Sequence, residues 1–234
     1  MLLKHTRAIP RLSNINKTLN RLHIMSRDPS LAKLTSLEPL SGEHARWIKL
    51  EKINYTDPEG KAREWEMASR TTRPKNSTID AVCILAIIED KTSADGPRIV
   101  LQRQFRPPVE GVCIEMPAGL IDPNESAETC ALRELKEETG YVADYAMETS
   151  PLMFNDPGFC NTNMKLITVK VDLNDERNAN PQPELEEKEF IETFTVPLKD
   201  LHSELFKWEA EGLKIDARVQ NIAAGIQLAK KFKF

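Results

Sequence analysis

Apolar residues fall in short blocks along most of the chain, and the block lengths suit strands more often than helices. Residues 47–55 and 64–70 are extended runs on either side of Asp57-Pro58-Glu59-Gly60, which predicts a β-hairpin. Residues 80–88 and 98–105 read as buried strands, the second closed by Pro107-Pro108, and 113–116 as a short strand stopped at Pro117-Ala118-Gly119. From 126 to 139 the chain switches to helix formers, with Gly140 placed as a C-terminal cap. Residues 164–173 and 190–196 predict further strands, and 198–211 and 216–231 further helices. The last helix is amphipathic through Ile222, Ala223, Ile226 and Ala229. Strands first, one central helix, then strands and terminal helices predict an α/β or α+β sandwich without Rossmann-type alternation.

With 234 residues, 40% hydrophobic and 29% charged, the chain can bury a substantial core. No apolar run approaches the roughly 18 residues of a membrane span, so no bilayer crossing is expected. The net charge of −4 conceals an asymmetry. Residues 1–27 carry six basic side chains (Lys4, Arg7, Arg11, Lys17, Arg21, Arg27) and no Asp or Glu; taking those six from 32 leaves 26 basic against 36 acidic residues, a net of −10. An acidic body argues against nucleic acid as a partner, including a decapping role.

In the head, Leu12, Ile15, Leu19 and Leu22 fall on one helical face. An acid-free, Arg-containing amphipathic start reads as a mitochondrial presequence. Met25 offers a second start, so the expected location is the mitochondrial matrix, the cytoplasm or both. The expected organisation is this presequence or basic tail at 1–27, a strand and hairpin region at 28–75, and a catalytic domain at 76–234. Cys83, Cys113, Cys130 and Cys160 form no close Cys/His cluster and read as free thiols; the scattered histidines suggest no His-based catalysis.

Chemistry concentrates on the central helix and its approach. Glu134, Glu137 and Glu138 stand at i, i+3 and i+4, so three carboxylates converge on one helix face without interleaved lysines on that face. A solvated acidic face is the bland alternative. A Gly-bounded loop leading straight into the cluster favours a hard-cation site instead, since carboxylate oxygens with a backbone carbonyl and water suit Mg²⁺ or Mn²⁺. Arg133 projects about 100° around the helix from Glu134 and has Glu125 as its natural partner.

The segment from Gly119 through Glu125, Arg133, Glu134, Leu135, Glu137, Glu138 and Gly140 to Tyr141 fills every specified position of G-x5-E-x7-R-E-U-x-E-E-x-G-U, where U is a bulky apolar residue. It resembles the box of the Nudix hydrolases. The resemblance implies a Nudix α/β/α sandwich that hydrolyses nucleoside diphosphates linked to another moiety. Glu134, Glu137 and Glu138 correspond to its metal ligands, and Arg133 and Glu125 to its bracing pair. The stretches Arg103-Gln104-Phe105-Arg106-Pro107-Pro108, Ile114–Asp122, Asp156-Pro157-Gly158 and Trp47…Trp65-Glu66…Arg70-Thr71-Thr72-Arg73 resemble the ADP-ribose/ADP-sugar pyrophosphatase branch, eukaryotic in type.

That branch implies Mg²⁺-dependent cleavage of ADP-ribose and related ADP-sugars. It further implies a homodimer with shared sites, in which the N-terminal hairpin serves dimerisation. Trp47 and Trp65 correspond to an adenine clamp with Glu66 alongside. Each Trp taken alone reads rather as a packing residue; together with the box and the Arg103–Pro108 run they read as the clamp. Arg70 and Arg106 carry planar forks suited to diphosphate oxygens, and Asp156 lies in the expected sugar loop. The Ala118 carbonyl corresponds to a backbone metal ligand, and Glu115 is expected to support the metal site from behind. By resemblance Glu189 matches the loop glutamate that removes a proton from water. The residues themselves leave Glu184, Glu186 and Glu187 open. The competing readings are a Nudix pyrophosphatase for another nucleoside diphosphate derivative, and a Nudix-fold sensor that binds ADP-ribose without cleaving it.

Overall fold

The computed structural model describes residues 28–89 and 94–233; the basic head expected at 1–27 lies outside them. Strands β1 (Ile48–Thr56) and β2 (Ala62–Arg70) pair antiparallel along their whole length. Asp57 builds their turn: its Oδ1 accepts from the Glu59 and Lys61 amides at 3.0 and 2.8 Å, and Gly60 takes the left-handed conformation at φ 81°. The body follows as β3 (Ala81–Ile88), β4 (Arg98–Arg106), β5 (Gly111–Glu115), β6 (Ala118–Leu120), α1 (Ala127–Thr139), β7 (Ala146–Thr149), β8 (Met153–Phe154), β9 (Asn163–Val171), β10 (Ile191–Pro197), α2 (Leu201–Ala210), β11 (Lys214–Ile215) and α3 (Ala217–Phe232).

These body strands form one mixed sheet in the order β11-β5-β4-β3-β9-β7, with β10 on β4, β6 on β3 and β8 on β9. Alternation along β3 feeds both faces. Val82, Ile84, Ala86 and Ile88 join Ala127, Cys130, Ala131 and Leu135 of α1 on one side. Cys83, with Ile99, Leu101 and Ile114 from neighbouring strands, packs against Leu201, Leu205, Trp208, Val219 and Ala223 of α2 and α3 on the other. The layers are therefore helix, sheet, helix, as the fold reading expected. Leu135 is fully buried, and truncating it to Ala would cost about 2–5 kcal/mol.

The sheet splits in the middle, and that split makes room for the site. β3 and β4 pair only at Ile87↔Ile99 and Ile88↔Arg98. Beyond this, β4 takes β5 as its neighbour and β3 takes β6. Met116-Pro117 crosses between them, and the Pro117 carbonyl accepts from the Ile84 amide at 2.8 Å.

Element ends shift for local reasons. Ser126 caps α1 from outside, its hydroxyl accepting from the Thr129 amide at 3.1 Å; Gly140 closes it at φ 74°. α2 starts at Leu201 rather than 198 because 198–200 form a turn, and Asp216 caps α3 through the Arg218 amide. β9 ends at Val171, two residues earlier than its apolar run. β6, β7, β8 and β11 are too short for periodicity to reveal. Among the described residues no helix is long and apolar enough to cross a membrane.

Candidate active site

Helix α1 presents its acidic face to the split in the sheet. Glu138 is only 7% exposed, and its Oε2 accepts from the Gln102 side chain on β4 and from the Ala118 amide on β6, both at 3.0 Å. Burial drives its pKa up to about 8 against those two donors, with the charges of Glu134 and Glu189 adding to the rise. Burial likewise raises Glu134, opposed by Arg133 and reinforced by Glu137 and Glu189.

The β5–β6 turn lies against Glu134 so tightly that a Cβ on Gly119 would stand 1.9 Å from the Glu134 carboxyl carbon. Only glycine permits that approach.

Arg133 organises the cluster more broadly than its direction on the helix suggested. Its Nε and Nη2 donate to the two Glu125 oxygens, each at 2.9 Å, and Nη2 also reaches the Leu120 carbonyl. Nη1 reaches round to Glu134 at 2.8 Å and Glu137 at 3.0 Å. The guanidinium hydrogen bond lowers the Glu125 pKa, and the carboxylates hold Arg133 firmly protonated.

Among the described residues no three carboxylates already stand at metal-binding separation, because Arg133 holds Glu134 and Glu137 while Gln102 and Ala118 hold Glu138. The donors nonetheless fit a hard divalent cation. They are all oxygens, they carry three formal negative charges, and Gly119 lets the Glu134 carboxyl lie directly against the β5–β6 turn. A buried carboxyl with so high a pKa is what a cation would return to its ionised form.

The acidic loop ahead of β10 resolves into distinct positions. Glu184 is tied to the back of α1, its amide donating to the Glu137 carbonyl at 2.7 Å and its carboxylate pairing with Lys136 at 2.9 Å. Glu189 accepts from the Glu186 amide at 2.9 Å, and it is the loop carboxylate whose charge reaches both Glu134 and Glu138.

Arg106 does not offer a free fork. Its Nε and Nη2 are committed to the Glu115 oxygens at 2.7 and 2.5 Å, and the Glu115 side chain is only 8% exposed. The remaining N–H groups lie on the open end of a side chain that is 44% exposed. Glu115, expected to back the metal, is the partner that holds Arg106.

Trp47 is 67% exposed and Trp65 47%. Trp65 faces Ile53 across the hairpin, whereas Trp47 sits just before Ile48, which pairs with Arg70. Six residue positions separate the two tryptophans along the hairpin, about 20 Å at strand rise. They do not meet within one chain. Glu66 and Arg70 lie on the same strand as Trp65, both exposed, and Asp156 sits in the turn before β9. That turn is bound to β2: Trp65 Nε1 donates to the Gly158 carbonyl at 3.1 Å, and the Ala68 amide to the Phe159 carbonyl at 3.0 Å.

Two groups escaped the sequence reading. Gln102 is a buried polar residue in the apolar run Ile99-Val100-Leu101, an interruption that pointed to a partner. Arg73, within the resembling stretch but given no role there, forms an ion pair with Asp80 that the sequence reading did not foresee.

The NUDIX domain profile matches residues 78–218. The chain is similar to an ADP-ribose pyrophosphatase of Saccharomyces cerevisiae, with 46% identity over 99% of both chains. It is also similar to an ADP-sugar pyrophosphatase of Mus musculus, with 38% identity over 88% of this chain and 92% of that one. A solved crystal structure of an ADP compounds hydrolase overlays 75% of this chain and 81% of its own at 20% identity and a TM-score of 0.49. With its box complete on α1 and the segments flanking it, and the NUDIX profile spanning most of the body, this chain belongs to the Nudix family.

Proposed function

We propose that this protein hydrolyses the pyrophosphate bond of ADP-ribose, and of related ADP-sugars, to give AMP and the sugar phosphate, which is ribose 5-phosphate for ADP-ribose. The observation that carries the reading is the complete box, with Glu134, Glu137 and Glu138 of α1 gathered against the β5–β6 turn. The likeness to the yeast ADP-ribose pyrophosphatase over 99% of the chain supplies the substrate class.

Glu134, Glu137, Glu138 and the Ala118 carbonyl would hold Mg²⁺, with Mn²⁺ as a substitute. Bound there, such a cation neutralises diphosphate charge and lowers the pKa of an attacking water. The chain's own residues do the remaining work. Arg133 braces the acidic face through Glu125. The open end of Arg106 takes a diphosphate oxygen, and Arg70 another. Glu189, on the loop ahead of β10, removes the proton from the attacking water. Glu189→Gln should depress kcat with little change in KM.

The adenine is held between Trp47 and Trp65 of two different copies, with Glu66 accepting from its exocyclic amine. Two features support a homodimer with shared sites. The tryptophans are too far apart in one chain to sandwich a single base, and the hairpin exposes Ile48, Leu50, Ile53 and Tyr55, with Leu50 at 79%. Asp156 then faces the sugar end.

Comparing kcat/KM over ADP-ribose, an ADP-hexose, a dinucleotide, an oxidised nucleotide and a flavin nucleotide tests the substrate class. ADP-ribose should lead; preference for any of the last three would replace this reading with another Nudix pyrophosphatase.

A further inference from the structure

Just beyond the hairpin, Arg73 joins the approach to β3 to a turn 88 positions further along the chain. Its Nε and Nη2 donate to the two oxygens of Asp80 at 2.8 and 2.6 Å, and Nη2 also donates to the Asn161 carbonyl at 3.0 Å. Asp80 is 2% exposed and stands just before β3. It exchanges bonds with Asn163 at the start of β9: the Asp80 amide donates to Asn163 Oδ1 and the Asn163 amide to Asp80 Oδ2, both at 2.9 Å. Asn163 Nδ2 donates in turn to the Thr78 carbonyl at 3.0 Å.

The neighbouring threonine ties down the other strand of the hairpin. The Thr71 amide donates to the Trp47 carbonyl at 3.1 Å and its hydroxyl to the Arg46 carbonyl at 2.6 Å. The Asp156–Asn161 turn is thus fixed to β2 at Gly158 and Phe159, and at Asn161 to Arg73, three residues beyond the end of β2.

A half-buried fork paired to a buried carboxylate is a weak source of net stability, because desolvation offsets much of the attraction. Its geometric effect is larger. A planar guanidinium bound bidentately to a fixed carboxylate leaves its remaining donors in a defined direction. Here that direction is the Asn161 carbonyl.

We propose that Arg73 and Asp80 form a positioning clasp that holds the Asp156–Asn161 turn against β2, so that hairpin and turn recognise the substrate as one unit. The inference rests on the reading above in assigning Asp156 to the sugar end and the hairpin to the adenine end. Neither Arg73 nor Asp80 touches the substrate; each acts through the turn.

The test combines hydrogen exchange with a double-mutant cycle on the full chain. In Arg73→Met, amides at 65–70 and 156–162 should exchange at least roughly tenfold faster while those of α1 keep their protection. Unchanged exchange at 156–162 would overturn the clasp whatever the substrate. For ADP-ribose, Arg73→Met should raise KM about tenfold with kcat within about threefold, and Arg73→Lys should recover part of the loss. In the Asp156→Ala background the Arg73 substitution should add less than about twofold, because the turn it positions no longer carries the contact. KM effects that multiply would overturn the proposal even if the exchange changes. Should Arg73→Met fail to fold, Arg73→Lys carries both measurements. Wild-type protein that leaves ADP-ribose intact would instead sink the functional reading, and the exchange result would still decide the clasp.

Discussion

Helix α1 and the β1–β2 hairpin bring functional side chains into play in opposite ways. On α1 the chemistry is held from all sides. Ala127, Cys130, Ala131 and Leu135 lock one face into the core, Gln102 and the Ala118 amide fix Glu138, and Arg133 ties Glu125, Glu134 and Glu137 together. The hairpin has no such enclosure. Apart from Ala68 and Ser69 near its base and the half-buried Glu51 and Met67, its residues are exposed. Ile53, Trp65 and Met67 share a shallow pocket with Phe154 and Phe159, whereas Ile48, Leu50 and Tyr55 present apolar surface to solvent. Cleavage at phosphorus requires groups fixed before the substrate arrives. Recognition of a base tolerates a surface completed by a second copy, since stacking asks only for two flat faces at the right separation.

The largest contrast should come from Glu138→Gln. This change keeps the shape of the side chain and removes one charge from the cradle, so kcat should fall by roughly a hundredfold or more. The same variant should be more stable than wild type without metal, because a costly buried carboxyl is gone. Loss of stability with full activity would mean that Glu138 is a packing residue.

Next in size is the hairpin. Trp47→Ala or Trp65→Ala should raise KM about tenfold with little change in kcat, as expected for one lost stacking face. If the faces belong to different copies, Glu138→Gln protein mixed separately with Trp47→Ala and with Trp65→Ala should form mixed dimers with one intact site in one of the two mixtures, where activity below KM should recover. No recovery in either mixture after subunit exchange would confine each site to a single chain.

The smallest effect is in stability. Glu138 has a folded-state pKa of about 8 against an ordinary value of 4.5, and Glu134 is shifted the same way. Between those values the folded state binds more protons than the unfolded one, so stability falls as pH rises. Metal-free protein should lose several degrees of Tm from about pH 5 to pH 8, and millimolar Mg²⁺ should flatten that slope. A Tm that rises with pH in the chelated protein would contradict the burial of Glu138.

What the sequence disclosed follows the same division. The box was legible because its residues lie on one helix and its approach, where spacing fixes relative position; Glu134, Glu137 and Glu138 could be assigned to one face from numbering alone. The main strands were legible from apolar runs such as Val82–Ile88, and the helix–sheet–helix layering followed from them. The split of the sheet was not, because it arises from β3 and β4 pairing over two positions only, a tertiary matter. The pairing of Arg106 with Glu115 likewise depends on strand register, which places Arg106 opposite Gly111 and Glu115 opposite Gln102 on adjacent strands. The clasp of Arg73, Asp80 and Asn161 spans 88 positions in the chain, beyond any local pattern.

The most direct measurement follows ADP-ribose with the purified full chain, in Mg²⁺ and again after chelation, and identifies the products. The expected result is equimolar AMP and ribose 5-phosphate with Mg²⁺, and neither after chelation. ADP-ribose recovered intact from a stable complex in the presence of Mg²⁺ would contradict the assignment of α1 as a catalytic element and make this fold a binding protein.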